Sequence, residues 1–407
     1  MIVHARHALA AAGRRLTATA ATCHAHPPWQ SNFPSLFLCK SLNLVKIIPD
    51  NSVMLRKLLV TLGLGWLLFA AVWVVASGFT RNEVMLNAAC DPTRELWRDL
   101  NAAFVADHET RTGVTLLIRQ SHGGSGSQAR AVIDGLPADV VTLALYTDTD
   151  AVRKAGLIDD GWESDLDNRS LPYTSTIVFV VRKGNPKGVH DWADLARDGV
   201  SVVTPNPKTS GNGKWSFLAL WGSVVWRGGS EADAERFVAA VFGRVPVLDP
   251  SARGATMTFA QKGIGDVHLT WENEAHLEVQ EAGGELEIVY PKRAGDDKPL
   301  SVLAEPHVAV VDRVVDRKGS RAAAEAYLRF LFTPEAQEVI ARHHHRPSDP
   351  AVFERWRRKP DGTGRFPDMD LRRATTLVPG GAWDEVQKRF FAEGGVFDRI
   401  PLAKGAR

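Results

Sequence analysis

Cysteine is scarce in this chain, and the few residues present cannot build a framework. Of the three, Cys23 and Cys39 lie ahead of a long apolar run, so a chain beginning after that run holds only Cys90 and no internal disulfide. An excess of one charge is also lacking. The 49 basic and 47 acidic residues leave a formal charge of +2 and are interspersed along the chain. Without a broad positive field, nucleic acid is not expected as a partner. No internal repeat or low-complexity segment stands out. Catalytic signatures fail in turn. The esterase elbow G-x-S-x-G around Ser125 needs glycine where Ser127 stands, although His122-Gly123-Gly124 is reminiscent of an oxyanion-hole string. Gly213-Lys214 is followed by Trp215 and position 208 is lysine, so the phosphate-cradling loop fails twice. Gly263-Ile264-Gly265 is followed by His268 where a dinucleotide fingerprint needs its third glycine. No catalytic residue, cofactor or metal is therefore expected. His343, His344 and His345 are consecutive and point in different directions, so a solvated helix terminus is expected there in place of a metal site.

The 407 residues, 44% hydrophobic and 24% charged, suffice for two domains with sizeable cores. The sharpest compositional break falls near Met54, where Arg56 and Lys57 precede an uncharged apolar run from Leu58 to Ala76. This charge-then-apolar order is that of an export signal. The run's length fits both a cleaved signal and an uncleaved membrane anchor. Ala76, Ser77 and Gly78 favour cleavage ahead of Phe79 or Thr80. Residues 1–53 lie upstream and are expected to be a non-native extension or disordered, with translation starting at Met54. Cys90 follows Asn87-Ala88-Ala89, a poor lipoprotein box, and is expected to be a buried thiol in the first strand.

Downstream, strands alternate with helices. Glu83 to Ala89 reads as a strand, Asp91-Pro92-Thr93 opens a helix with Leu96, Trp97, Leu100 and Phe104 on one face, and a second strand runs from Val114 to Arg119. Further strands are expected at 138–145, 174–182, 200–204, 245–248 and 266–271, with helices at 210–225, 231–242, 322–332 and 334–342. The alternation implies an α/β chain with mainly parallel sheets flanked by helices. Three loops combine small residues with a helix start: Ser121 to Gly126, Thr209 to Gly213, and Pro250 to Gly254. Each would present free backbone N–H groups backed by a helix dipole, a site for an anion. Any one alone could be an ordinary Gly-rich cap. Three together point to an anion site, and the indole N–H of Trp271 after a strand adds a donor that cannot accept.

Longer strings carry a resemblance: Asp91-Pro92-Thr93-Arg94-Glu95, Gln120 to Gly126 (QSHGGSG), Ala138 to Leu145 (ADVVTLAL), Ser201 to Gly211 (SVVTPNPKTSG), Ala252 to Thr256 (ARGAT), and Trp271 to Ala275 (WENEA). With similar spacing from about residue 83 to about residue 400, the chain resembles the periplasmic sulfate-binding and thiosulfate-binding proteins of ABC importers. The resemblance implies a two-lobed periplasmic-binding-protein architecture that closes on its ligand by hinge bending. It also implies an anion held by the backbone N–H groups of Asp91, Ser125, Gly211, Asn212 and Ala252, the hydroxyl of Ser210 and the indole of Trp271, with Arg253 beside the site. Two departures lie at the ligand: Cys90 stands where the family usually has tyrosine, and Asn212 where it has a second glycine. The side chain of Asn212 is expected to point away.

The expected protein is a non-catalytic, monomeric, extracytoplasmic receptor that passes sulfate or thiosulfate to ABC transporter permease subunits. The expected division is 1–53 extension, 54–78 signal peptide or anchor, 79–172 first lobe, 173–271 second lobe, 272–320 return to the first lobe, and 321–407 C-terminal helices packing on the lobes. The alternatives are an oxyanion receptor for molybdate or phosphate and, from a different class, an exported hydrolase using the 122–125 loop as an oxyanion hole.

Overall fold

The computed structural model describes residues 53–76, 83–357 and 365–403. The extension expected over 1–53 lies outside these, apart from Val53, and so does the expected cleavage junction at 77–80. The chain divides into two compact units, Met1–Phe79 and Thr80–Arg407. The described residues of the first form a helix, Val53–Ala76. Its apolar side chains from Leu58 to Phe69 are exposed, Trp66 at 73%. Among the described residues no helix is long and apolar enough to cross a membrane.

Among the described residues the second unit holds two four-stranded sheets and two short two-stranded pairings. In the first, β1 (Glu83–Cys90) leads through a short 3-10 turn into the helix α1 (Arg94–Thr112), followed by β2 (Leu116–Gly123), the helix α2 (Ser125–Ile133) and β3 (Val140–Thr142). β1 pairs in parallel with β2 and β3. Alternation along β1 sends Met85 and Ala89 to one face, where Trp97, Leu100, Phe104 and Tyr327 close the core. It sends Ala88 to the other face, against Ala129, Val132 and Val152. α1 ends at Gly113 in a left-handed conformation, φ 70°, with its N–H returned to the Glu109 carbonyl.

The second sheet collects β4 (Ile177–Arg182), β5 (Val202–Val203), β6 (Val267–Trp271) and β7 (Leu286–Val289), in the order β5-β6-β4-β7. Between β5 and β6 run the helices α3 (Gly211–Val225) and α4 (Ala252–Thr256), and α5 (Glu272–Glu281) follows β6 directly. Phe179 and Val181 face a core built on Trp192, Trp215 and Phe217, and Val178 and Val180 face Phe259 and Ala275. The chain then returns to the first sheet as β8 (Val308–Val310), antiparallel to β3. Cβ alternation on buried strands thus covers both sheets on both faces, the two-lobed α/β arrangement.

Four expectations need correction. The second sheet is not mainly parallel: β4 runs antiparallel to both β6 and β7. A strand buried on both faces shows the same continuous apolar run in either direction, so its sequence does not encode the pairing sense. The return to the first lobe does not begin at 272, because α5 packs Ala275 into the second lobe's core and β7 still extends that sheet. Residues 245–248 form no strand; Pro246 has no N–H to offer a ladder. The three histidines are not a solvated terminus. His344 turns back at φ 59°, His345 is 1% exposed with its ring 4.6 Å from that of Tyr173, and His343 meets Asp99 at 2.8 Å.

Cys90 closes β1, 2% exposed. Burial pushes its thiol up to about 12, since the thiolate would lose its hydration. In protein beginning at Thr80, a thiol reagent at pH 8 is therefore expected to leave Cys90 unmodified in buffer and to label it fully in denaturant, as followed by intact mass. Rapid labelling of the native protein would mean that the end of β1 opens.

Candidate anion site

Three helix starts meet between the two sheets, and glycine lets them touch. α2 is capped by Gly124. A Cβ placed on Gly124 would fall 2.3 Å from the carbonyl oxygen of Thr209 and 3.0 Å from that of Pro250, so any side chain there would push apart the loops that precede α3 and α4. A Cβ on Gly211 would fall 2.3 Å from that of Ala144 and 3.1 Å from that of Ser125. The junction is pinned by the Thr209 hydroxyl, which donates to the Pro250 carbonyl at 2.8 Å, and by the Asn206 N–H, which donates to the Asp249 carbonyl at 2.8 Å. Gly124, Thr209 and Pro250 lie far apart along the sequence; the fold makes them neighbours.

Capping then decides which N–H groups stay free. Ser210 accepts from the N–H of Gly213 at 3.5 Å, and Ser251 from that of Gly254 at 3.3 Å. The N–H groups of Gly211, Asn212 and Ala252, together with those of Asp91 and Ser125, find no protein acceptor among the described residues. The Ser210 oxygen accepts from Gly213, which leaves its proton to donate elsewhere. Trp271 ends β6 and caps α5; it is 1% exposed, and its indole N–H has no protein partner. A buried donor without an acceptor is costly unless something fills the gap. These residues form a set of donors with the positive ends of helix dipoles behind them.

The side chain of Ser125 is committed elsewhere. Its hydroxyl donates to Asp148 at 2.6 Å and accepts from the N–H of Ala144 at 2.9 Å. Asp148 also takes Lys214 at 2.5 Å, in a pair buried on both sides, and the Trp215 indole donates to the Ala144 carbonyl at 2.8 Å. This network ties α3 to the first lobe. Sequence reading missed Asp148 and Lys214, for neither belongs to a motif and only folding brings them together. Arg253, next to Ala252, reaches Glu95 at 3.0 Å and Glu274 at 3.1 Å, and the Asn273 amide donates to the Pro92 carbonyl at 2.8 Å. Arg253 is thus already occupied by two carboxylates. Burial raises the Glu274 carboxyl to about 8 against the opposing pull of Arg253. Asn212 turns its amide toward β6: Nδ2 donates to the Leu269 carbonyl at 3.2 Å, and Oδ1 is buried with no protein partner.

Two covered α/β lobes with helix N-termini converging between them define the architecture of a solute-binding protein. Residues 86–346 match the family model of the bacterial extracellular solute-binding proteins. The sulfate-binding protein of Escherichia coli K12 is 48% identical over 335 residues, covering 82% of this chain and 96% of that one. The thiosulfate-binding protein of Pseudomonas aeruginosa PAO1 is 47% identical over 320 residues, 78% of this chain and 92% of that one. Among solved structures, the sulfate-binding protein of Mycobacterium tuberculosis H37Rv aligns with a TM-score of 0.66 at 32% identity, covering 76% of this chain and 100% of that one. The chain belongs to the bacterial extracellular solute-binding protein family, within its group of sulfate-binding and thiosulfate-binding proteins.

The close approach at Gly124 can be tested without ligand. Gly124→Ala forces a Cβ against two backbone carbonyls and is expected to cost about 1–3 kcal/mol in urea unfolding. An unchanged midpoint would mean that the three loops are not held together there.

Proposed function

We propose that this chain captures sulfate or thiosulfate outside the cytoplasm and delivers it to the permease of an ABC importer, without making or breaking a bond. The observation that carries this reading is the buried, unpartnered indole N–H of Trp271 beside five backbone N–H groups that also lack protein acceptors. A ligand that only accepts matches donors that only donate, and oriented peptide dipoles can hold a dianion without a facing cation. Names and identities of the relatives support the same choice. Residues 54–78 serve as the export signal in this reading, and the receptor works in the periplasm.

Calorimetry on protein beginning at Thr80, titrated with sulfate, thiosulfate, molybdate and phosphate, is expected to give binding with sulfate or thiosulfate; silence with all four would sink the assignment. Phosphate carries a proton near neutral pH and needs an acceptor, and an unmatched buried donor or acceptor costs about 1–3 kcal/mol, roughly tenfold to a hundredfold in affinity. Sulfate is therefore expected to win by that margin. Asn212 Oδ1 is a buried acceptor without a protein partner that could admit a protonated anion, so the competition should be repeated on Asn212→Gly. Equal affinities in the parent that turn sulfate-selective in the variant would make Asn212 the residue that admits phosphate.

Role by role, Ser210→Ala and Trp271→Phe each remove a buried donor and are expected to weaken sulfate binding about tenfold to a hundredfold. Ser125→Ala keeps its backbone N–H and is expected to weaken binding less than either. Equal losses for Ser125 and Ser210 would contradict this division of labour.

A further inference from the structure

Beside the anion site, α1, α5 and the 342–345 segment enclose a crevice of about 250 Å³ lined by Pro92, Glu95, Asn273, Glu274 and His343 among others. At its edge His276, on α5, stacks on His344: the ring centroids are 4.0 Å apart and the planes 13° from parallel. α5 belongs to the second lobe, whereas the helix Pro334–Arg342 that ends at this turn contributes Val339 and Ile340 to the first lobe's core. The stack therefore joins the lobes. We infer that the His276–His344 stack is an acid-sensitive strut that holds the Trp271 end of α5 in place, so that protonating the pair weakens anion capture. This rests on the oxyanion reading above.

The surroundings make a proton on either ring unwelcome. His344 Nε2 lies 3.3 Å from Arg365 Nη1, so in the neutral ring Nε2 accepts and the proton sits on Nδ1, which has no protein partner. His276 Nε2 faces the Tyr290 hydroxyl at 3.3 Å. The nearby carboxylates are already committed. Glu272, one turn before His276, holds Arg346 through two bonds of 2.7 and 2.9 Å. Glu95 and Glu274 hold Arg253, and Asp99 accepts from His343 and Arg98. Arg342 lines the crevice, and His343 and His345 flank the ring, so the remaining neighbours add positive charge or none. Burial lowers the pKa of both rings: at His276 it outweighs the opposing pull of Glu272, with Arg365 and Arg346 adding to it, and at His344, with His276 and Arg365 adding to it, it carries the ring down to about 2.

A cation placed on one ring meets a neighbour of like tendency 4.0 Å away and no free carboxylate, and His344 lines the crevice into which its ring can move. Displacing α5 displaces its first turn. That turn carries the Trp271 indole, the Asn273 bond to Pro92 next to Asp91, and the Glu274 bond to Arg253 next to Ala252. The sign follows: a histidine whose pKa is depressed in the stack favours the stacked arrangement above its ordinary value, near 6.5, and opposes it as pH falls below that value.

Calorimetry with sulfate from pH 7.5 to pH 5.0 tests this, because sulfate remains a dianion throughout. The wild type beginning at Thr80 is expected to lose about thirtyfold in affinity by pH 5.0, the size of one histidine carried well below its ordinary value. His276→Phe/His344→Phe, which keeps a ring stack and removes the titration, is expected to lose less than about threefold. Parallel curves for the two proteins, or a flat wild-type curve, overturn the inference; if the double variant does not fold, His276→Phe alone serves. Absence of sulfate binding at pH 7.5 would remove the proposed function instead. The strut is then judged from thermal midpoints of ligand-free protein: a steeper fall with acid in the wild type supports it, and equal falls overturn it.

Discussion

Backbone N–H groups that cannot be satisfied from within their own helices are the constraint around which this molecule is arranged. Every helix leaves its first amides without partners. Here α2, α3 and α4 bring those amides together between two lobes, and the caps on Ser210 and Ser251 quench only the third amide of their helices. Small residues are the enabling condition. With a side chain at Gly124 or Gly211 the three starts could not approach, and the donors would point into separate volumes of solvent.

Around that centre, charges are arranged so that none faces the donors unpaired. Asp148 is held by Lys214 and by the Ser125 hydroxyl, and Arg253 is divided between Glu95 and Glu274. These pairs fix loops and bridge elements from both lobes, and in the proposed reading they leave recognition to oriented dipoles. A site of that kind favours an acceptor-only anion over a protonated one because of hydrogen-bond direction, and net charge plays little part in the choice. The chain's near-zero net charge fits this local arrangement.

The Arg346–Glu272 pair and the histidine turn show how the same elements carry more than one duty. Arg346 lies in the short pairing with Tyr173 and Thr174, where the chain passes between lobes, and its bidentate bond to Glu272 fixes the start of α5. α5 is therefore held at its first turn by that pair and by Asn273, and one turn later by the stacked imidazoles. In the proposed strut, a helix whose cap is the buried indole carries what happens along this seam to the candidate anion site.

Local patterns in the sequence were enough for the alternating elements, the amphipathic face of α1, the three small-residue loops and the indole donor, because each depends on neighbours within a turn or two. Pairing sense and partnership were not legible. The run Ile177–Val181 looks alike whether β4 runs parallel or antiparallel, and β7, four residues long, carries too little periodicity to announce itself. Asp148 and Lys214 are 66 positions apart and touch at 2.5 Å, and His276 and His344 lie on different lobes. Their chemistry exists only once the lobes have packed. The sequence by itself determined that three small-residue loops would each open a helix, since capping and glycine are local properties. Tertiary structure alone decided that those loops share one place, which charges are paired around it, and that the three consecutive histidines pack against neighbours, His345 fully buried, because burial and proximity are properties of the packed chain.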